Sequence, residues 1–145
     1  MIKIYTIGFT KKTAKQFFEL LKKNQVKKIV DIRINNSSQL AGFAKGTDLE
    51  YFANEICGIE YTYIEDFAPT KELLSDYQNK KFNWIEYEKI YRNLIKGRKI
   101  AEKYNISDFD NACFLCSEQT AEQCHRRLLA EYFKEINPDV EIIHI

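Results

Sequence analysis

The chain has 145 residues, 45% hydrophobic and 14% aromatic, enough to build one sizeable core and to exclude a disordered or fibrous polypeptide. Lysine plus arginine, 22, nearly cancels aspartate plus glutamate, 21, so no global charge excess steers the protein toward nucleic acid or an anionic membrane. No apolar run approaches the roughly 20 residues that a membrane span needs, and Met1 to Gly8 is too short and interrupted for a signal peptide. A cytoplasmic protein with no membrane partner is therefore expected, its four cysteines reduced and available as core residues, ligands or reactive groups.

Ile2 to Ile7 reads as a strand closed by Gly8, and Thr10 to Thr13 supplies hydroxyl caps for a helix with apolar positions Ala14, Phe17, Phe18, Leu20 and Leu21. Lys28 to Arg33 predicts a second strand, followed by a polar loop from Asn35 to Gln39 that runs on through Ala41-Gly42-Phe43. Asp48 to Cys57 reads as a helix stopped by Gly58, and Ile59 to Ile64 as a third strand. A loop at Pro69 leads into a helical pattern from about Lys71 to Tyr104, with possible breaks at Asn79 to Asn83 and at Gly97. Ala112 to Cys116 predicts a fourth strand, Thr120 to Ile136 the last helix, and Val140 to Ile145 a fifth strand.

Strict alternation of strands and helices predicts one three-layer α/β domain over residues 1–145, its five or so strands mostly parallel, although strand order is not readable. In such sheets ligands bind beyond the carboxyl ends of the strands. Those ends present Gly8-Phe9-Thr10, Asp31-Ile32-Arg33 and Cys116-Ser117-Glu118.

The segment order resembles the uncharacterised family DUF488. The resemblance rests on Thr6-Ile7-Gly8, Val30-Asp31-Ile32-Arg33, Gly58-Ile59-Glu60-Tyr61, Cys116-Ser117-Glu118 with Cys124-His125-Arg126, and Ile143-His144-Ile145. Two departures stand out: Phe9-Thr10 where the family usually carries histidine and serine, and Phe67-Ala68-Pro69 where it tends to carry a glycine pair. The family has no settled activity, so the resemblance implies a fold and a site position rather than a reaction.

The chemistry concentrates between Cys113 and Arg126. A thiol near a helix amino terminus and near cations has a depressed pKa, which makes Cys124 or Cys116 a candidate nucleophile; the alternative is a small apolar core residue. Glu118 and His125 are candidate acid–base groups, and Asp31 a carboxylate that handles protons or orients arginines. Arg33 and Arg126 offer planar forks suited to carboxylate or phosphate, unless one of them is tied up in an internal ion pair with Asp31. Gly8 and Thr10 complete the binding edge, Arg127 is read as solvent-facing, and Cys57, Trp84 and His144 are read as structural.

Cys113-x-x-Cys116 with Cys124 and His125 invites a zinc reading. Strand alternation sends Cys113 and Cys116 to opposite faces, and adjacent helical residues point about 100° apart, so no metal is expected, nor any other cofactor. The leading expectation is an enzyme, a hydrolase or transferase, acting on a small anionic or nucleotide-like substrate. The competing one is a non-catalytic module that binds a nucleotide, nucleic acid or protein, with structural cysteines; nucleic acid is possible but not favoured, since no motif for it is present.

Overall fold

The computed structural model describes residues 1–36, 42–118 and 121–145. Five strands, β1 (Ile2–Gly8), β2 (Lys28–Asp31), β3 (Glu60–Tyr63), β4 (Ala112–Cys116) and β5 (Val140–His144), form one sheet of order β3-β2-β4-β1-β5. All pairings are parallel, with Gly8 level with Cys116 and Asp31 level with Leu115. The carboxyl ends of β1, β2 and β4 thus come together at the middle of one sheet edge, where a parallel sheet places its ligands.

Side-chain alternation divides the core in two. Ile4, Val30, Ile32 and Phe114 face a cluster supplied by Phe67, Tyr87, Tyr91, Leu128, Leu129 and Phe133. Tyr5, Ile7, Ile29, Cys113 and Leu115 face Phe17, Phe18, Leu21, Leu49 and Ala53. The first cluster lies under α3 (Lys71–Gln78), α4 (Trp84–Gly97) and α6 (His125–Ile136), the second under α1 (Ala14–Lys23) and α2 (Gly46–Phe52), which gives the expected three layers. None of the described helices is long and apolar enough to cross a membrane.

Local signals explain most boundaries. Thr13 caps α1 in a reciprocal capping box with Gln16, and Thr70 and Asn83 cap α3 and α4. The helical run from Lys71 breaks at Asn79 and again after Gly97, leaving α5 (Ile100–Lys103) as a single turn. A π turn, Ala53–Cys57, continues α2 and ends at Gly58 in the left-handed region, φ 65°.

The start of the last helix differs from expectation. Cys124 is extended, at φ −139° and ψ 141°, and α6 begins at His125; Thr120, where the sequence places the start, lies outside the described residues, as do residues 37–41 of the loop after β2. The cause is tertiary: Cys124 is drawn back onto the end of β4, and Arg126 is drawn under the loop, at the cost of a helical turn that local preference alone favours.

Candidate active site

Cys116 is the last residue of β4 and shares the face of Phe114, so its side chain meets the amino end of α6 rather than α1. Its sulfur lies 2.6 Å from Cys124 Sγ and 3.6 Å from His125 Nδ1. The other ring nitrogen, Nε2, lies 2.8 Å from the carbonyl oxygen of Ile32. A carbonyl only accepts, so Nε2 carries a hydrogen and Nδ1 is the nitrogen that faces Cys116, as a lone pair in the neutral ring and as an N–H donor in the imidazolium.

This geometry sets the charge state of the cluster. Burial alone would push the Cys116 thiol up, but the hydrogen bond from Cys124, the charge and contact of His125 and the charge of Arg126 hold it well below its ordinary value. Burial would push His125 down; the Cys116 charge, the contact with it and the bond to Ile32 raise it instead. Cys124 moves up, through burial, its hydrogen bond to Cys116 and the Cys116 charge. These directions favour negative charge on Cys116 and positive charge on His125, with the proton shared by the two sulfurs held on the Cys124 side.

Cys116, Cys124 and His125 hold their ligand-type atoms within 4.8 Å of one another, a thiolate–thiolate–imidazole donor set. The expectation that Cys124 and His125 diverge fails, because Cys124 lies outside the helix. The sulfur spacing is nevertheless shorter than two ligands of one metal adopt, and shorter than an ordinary sulfur–sulfur contact. Two thiolates on tetrahedral zinc at about 2.3 Å stand roughly 3.8 Å apart, against 2.6 Å here. Cys113 joins neither arrangement; it packs on the opposite face, where burial pushes its thiol up.

A cavity of about 340 Å³ opens beside the cluster, lined by Cys116, Cys124, His125, Arg33, Glu118 and the aromatic wall of Tyr77, Trp84 and Tyr87, among others. That volume suits a small molecule. Trp84 and Tyr87 stack with centroids 5.0 Å apart. The structural reading of Trp84 is therefore only half its role: the ring packs against the core and also walls the cavity. The spacing of Trp84, Tyr87 and Tyr91 on one helical stripe was the available signal; Trp84 and Tyr87 line the cavity, and Tyr91 is fully buried in the core.

Asp31 is fully buried and binds Arg33 bidentately, Nε to Oδ1 at 2.8 Å and Nη2 to Oδ2 at 2.7 Å; Tyr61 donates to the same carboxylate at 2.6 Å. Of the two internal ion pairs considered for Asp31, the structure forms the one with Arg33. Arg33 also donates to the carbonyl of Ala44 and lies 5.3 Å from the Phe9 ring centre, which gives Phe9 a use where the family usually has histidine. Arg33 Nη1 is buried with no hydrogen-bond partner among the described residues. Tyr61, which the sequence marks only as part of the Gly58–Tyr61 segment and not as a partner of Asp31, follows from the rule that a buried charge needs partners.

Arg126, 1% exposed, does not line the cavity. Its Nη1 donates to the Glu118 carbonyl at 2.5 Å and approaches Cys124 Sγ at 3.9 Å, so it fastens the loop between β4 and α6. Thr10 works from the other side, donating its amide (3.2 Å) and its hydroxyl to the Ser117 carbonyl. Gly8 leaves room for that loop: a Cβ there would stand 1.5 Å from the Glu118 carbonyl oxygen and 2.6 Å from Arg126 Nη1. The Glu118 side chain is exposed at the cavity mouth. Arg127 turns to α4 and to its own helix, pairing with Glu88 and Glu131, and His144 Nδ1 meets the Thr6 hydroxyl at 2.5 Å.

The arrangement defines a protein with a buried thiol–imidazole pair at the carboxyl edge of a parallel sheet. The chain belongs to the DUF488 family: the family model, described as a domain of unknown function, matches residues 13–133. That span contains the Asp31, Cys116 and Cys124-His125-Arg126 segments, whereas Gly8, Thr10 and the closing Ile143-His144-Ile145 lie outside it. No curated protein and no solved structure matches the chain.

Proposed function

We propose that the protein is a thiol-dependent enzyme, a hydrolase or group transferase, that takes a small anionic, nucleotide-like substrate into the cavity beside Cys116. The observation that carries the reading is the Cys116–His125 pair, a sulfur on the cavity wall held 3.6 Å from Nδ1 of a ring whose Nε2 is fixed on the Ile32 carbonyl. In this reading Cys116 attacks the electrophilic centre, His125 returns a proton to the leaving group, and Glu118 at the mouth activates water. The Trp84–Tyr87 stack offers a ring face for a planar group, and Arg33 Nη1 offers a buried donor for an anionic one. Arg126, Gly8 and Thr10 hold the loop and do not touch substrate.

The test compares alkylation of Cys116 by iodoacetate and by neutral iodoacetamide, with and without nucleoside monophosphates. A preference for the anionic reagent, and protection by the nucleotides, are expected. Equal or lower reactivity toward iodoacetate, with no protection, would remove the anionic-substrate reading.

The near-complete burial of the two sulfurs, 4% exposed for Cys116 and 2% for Cys124, favours a second reading, a non-catalytic binding module with structural cysteines. It requires thiols that stay inert in the folded protein.

A further inference from the structure

The geometry points to Cys116 and Cys124 as a two-electron redox pair, in which a small hydroperoxide oxidises Cys116 and Cys124 then closes a reversible disulfide. The inference rests on the reading of Cys116 as the reactive thiolate and adds a role for Cys124, which that reading leaves idle. Three observations support it. The sulfurs are 2.6 Å apart, so neither backbone needs to travel for a bond to form. Both sulfur-bearing residues line the same cavity, so a reagent reaching one meets the other. Cys124 is extended and precedes the first residue of α6, a backbone conformation that turns its side chain onto the end of β4.

The chemistry balances with one oxidant. The Cys116 thiolate attacks the outer oxygen of the hydroperoxide; the sulfur–oxygen bond forms, the oxygen–oxygen bond breaks, and the departing alkoxide or hydroxide takes the proton from His125. Cys116 is then a sulfenic acid. Cys124 sulfur attacks it, the disulfide forms, the sulfur–oxygen bond breaks, and the leaving hydroxide takes the Cys124 proton as water. Two thiols and one hydroperoxide give a disulfide, one alcohol or water, and one water. The two sulfurs are 4% and 2% exposed behind a cavity of about 340 Å³, which admits a small peroxide and bars a protein disulfide as the oxidant.

Closing the bond removes the nucleophile and protects it from irreversible oxidation; dithiothreitol restores it. Cys57 and Cys113 serve as internal controls, since burial raises both thiols and both belong to the core on the opposite face of the sheet from Cys116.

The experiment treats the full chain with stoichiometric hydrogen peroxide, blocks remaining thiols, and digests after glutamate, which cuts between the two cysteines at Glu118 and Glu122. The expected product is a Cys116–Cys124 linked peptide pair, lost on reduction, with Cys57 and Cys113 still alkylated. In Cys124→Ser the same dose drives Cys116 to sulfinic acid. If the unmodified chain itself carries Cys116 as sulfinic acid with Cys124 still alkylatable, the redox pair is overturned while the reactive thiolate stands. If Cys116 resists both peroxide and iodoacetamide at about pH 6, where an ordinary thiol is almost wholly protonated, the thiolate reading fails and the redox pair with it.

Discussion

His125 donates its Nε2 hydrogen to the carbonyl of Ile32 at 2.8 Å, and that bond decides which nitrogen meets Cys116. The carbonyl lies one residue past the end of β2, and the histidine is the first residue of α6. The reactive pair is therefore set by the register between a strand end and a helix start far apart in the chain. Removing the ring should raise the Cys116 thiol pKa, since His125 charge and contact are among the causes that hold it down. In His125→Ala the alkylation rate of Cys116 at about pH 6 should fall on the order of tenfold, the equivalent of one pKa unit. An unchanged rate would mean that Cys124 and Arg126 suffice.

The two histidines should titrate on opposite sides of the ordinary 6.5: His125 above it, and His144, pushed down by burial and then by the Arg126 charge, below it. The signs follow from linkage. His125 contributes stability that is fully present below 6.5 and is lost as pH rises through its folded pKa; His144 contributes stability present above 6.5 and lost as pH falls through its folded pKa. In Cys116→Ser, burial of His125 is no longer opposed by the thiolate, and its titration should drop below 6.5. Proton NMR of the two imidazoles reads both results; a His125 value at or below 6.5 in the unmodified chain would contradict the thiolate–imidazolium pair.

Asp31→Asn keeps the shape of the buried acid and removes its charge, leaving Arg33 uncompensated at 3% exposure. Unfolding free energy should fall by about 3–5 kcal/mol, as for other broken buried pairs, measured by urea denaturation. A loss below 1 kcal/mol would mean that the Ala44 carbonyl and Phe9 ring carry the guanidinium without the carboxylate.

How much of this was legible beforehand differs by element. The apolar and β-rich runs of β1, β2 and β4, separated by helical patterns, gave the strands and a sheet covered on both faces, while the division of Ile4, Val30 and Phe114 from Ile7, Ile29 and Leu115 between the two layers is seen only in the fold. Strand order was not legible, since β4 inserts between β2 and β1 through contacts remote in sequence. The site was legible as a neighbourhood: Cys116, Cys124, His125 and Asp31 all lie at the expected edge. Their pairing was not, because the helix start moved to His125 to let Cys124 reach Cys116. For Arg126 the sequence offered the planar fork but not its contact with the Glu118 carbonyl, which depends on how the loop after β4 folds back.

Gly8→Ala tests the loop support. The added methyl meets the Glu118 carbonyl oxygen at 1.5 Å, a contact with backbone that no rotamer relieves. A stability loss of about 1–3 kcal/mol, typical of overpacking, is expected, with slower Cys116 alkylation as the loop and Arg126 are displaced. A variant that matches the parent in both measurements would show that the loop does not sit against β1.

The central claim is that Cys116 is a thiolate in the folded protein, and pH-resolved alkylation with mass-spectrometric mapping of Cys57, Cys113, Cys116 and Cys124 tests it most directly. Labelling of Cys116 alone at about pH 6, with the other three protected until higher pH or unfolding, is the predicted result. All four cysteines inert until the chain is unfolded, or Cys124 labelled ahead of Cys116, would contradict it.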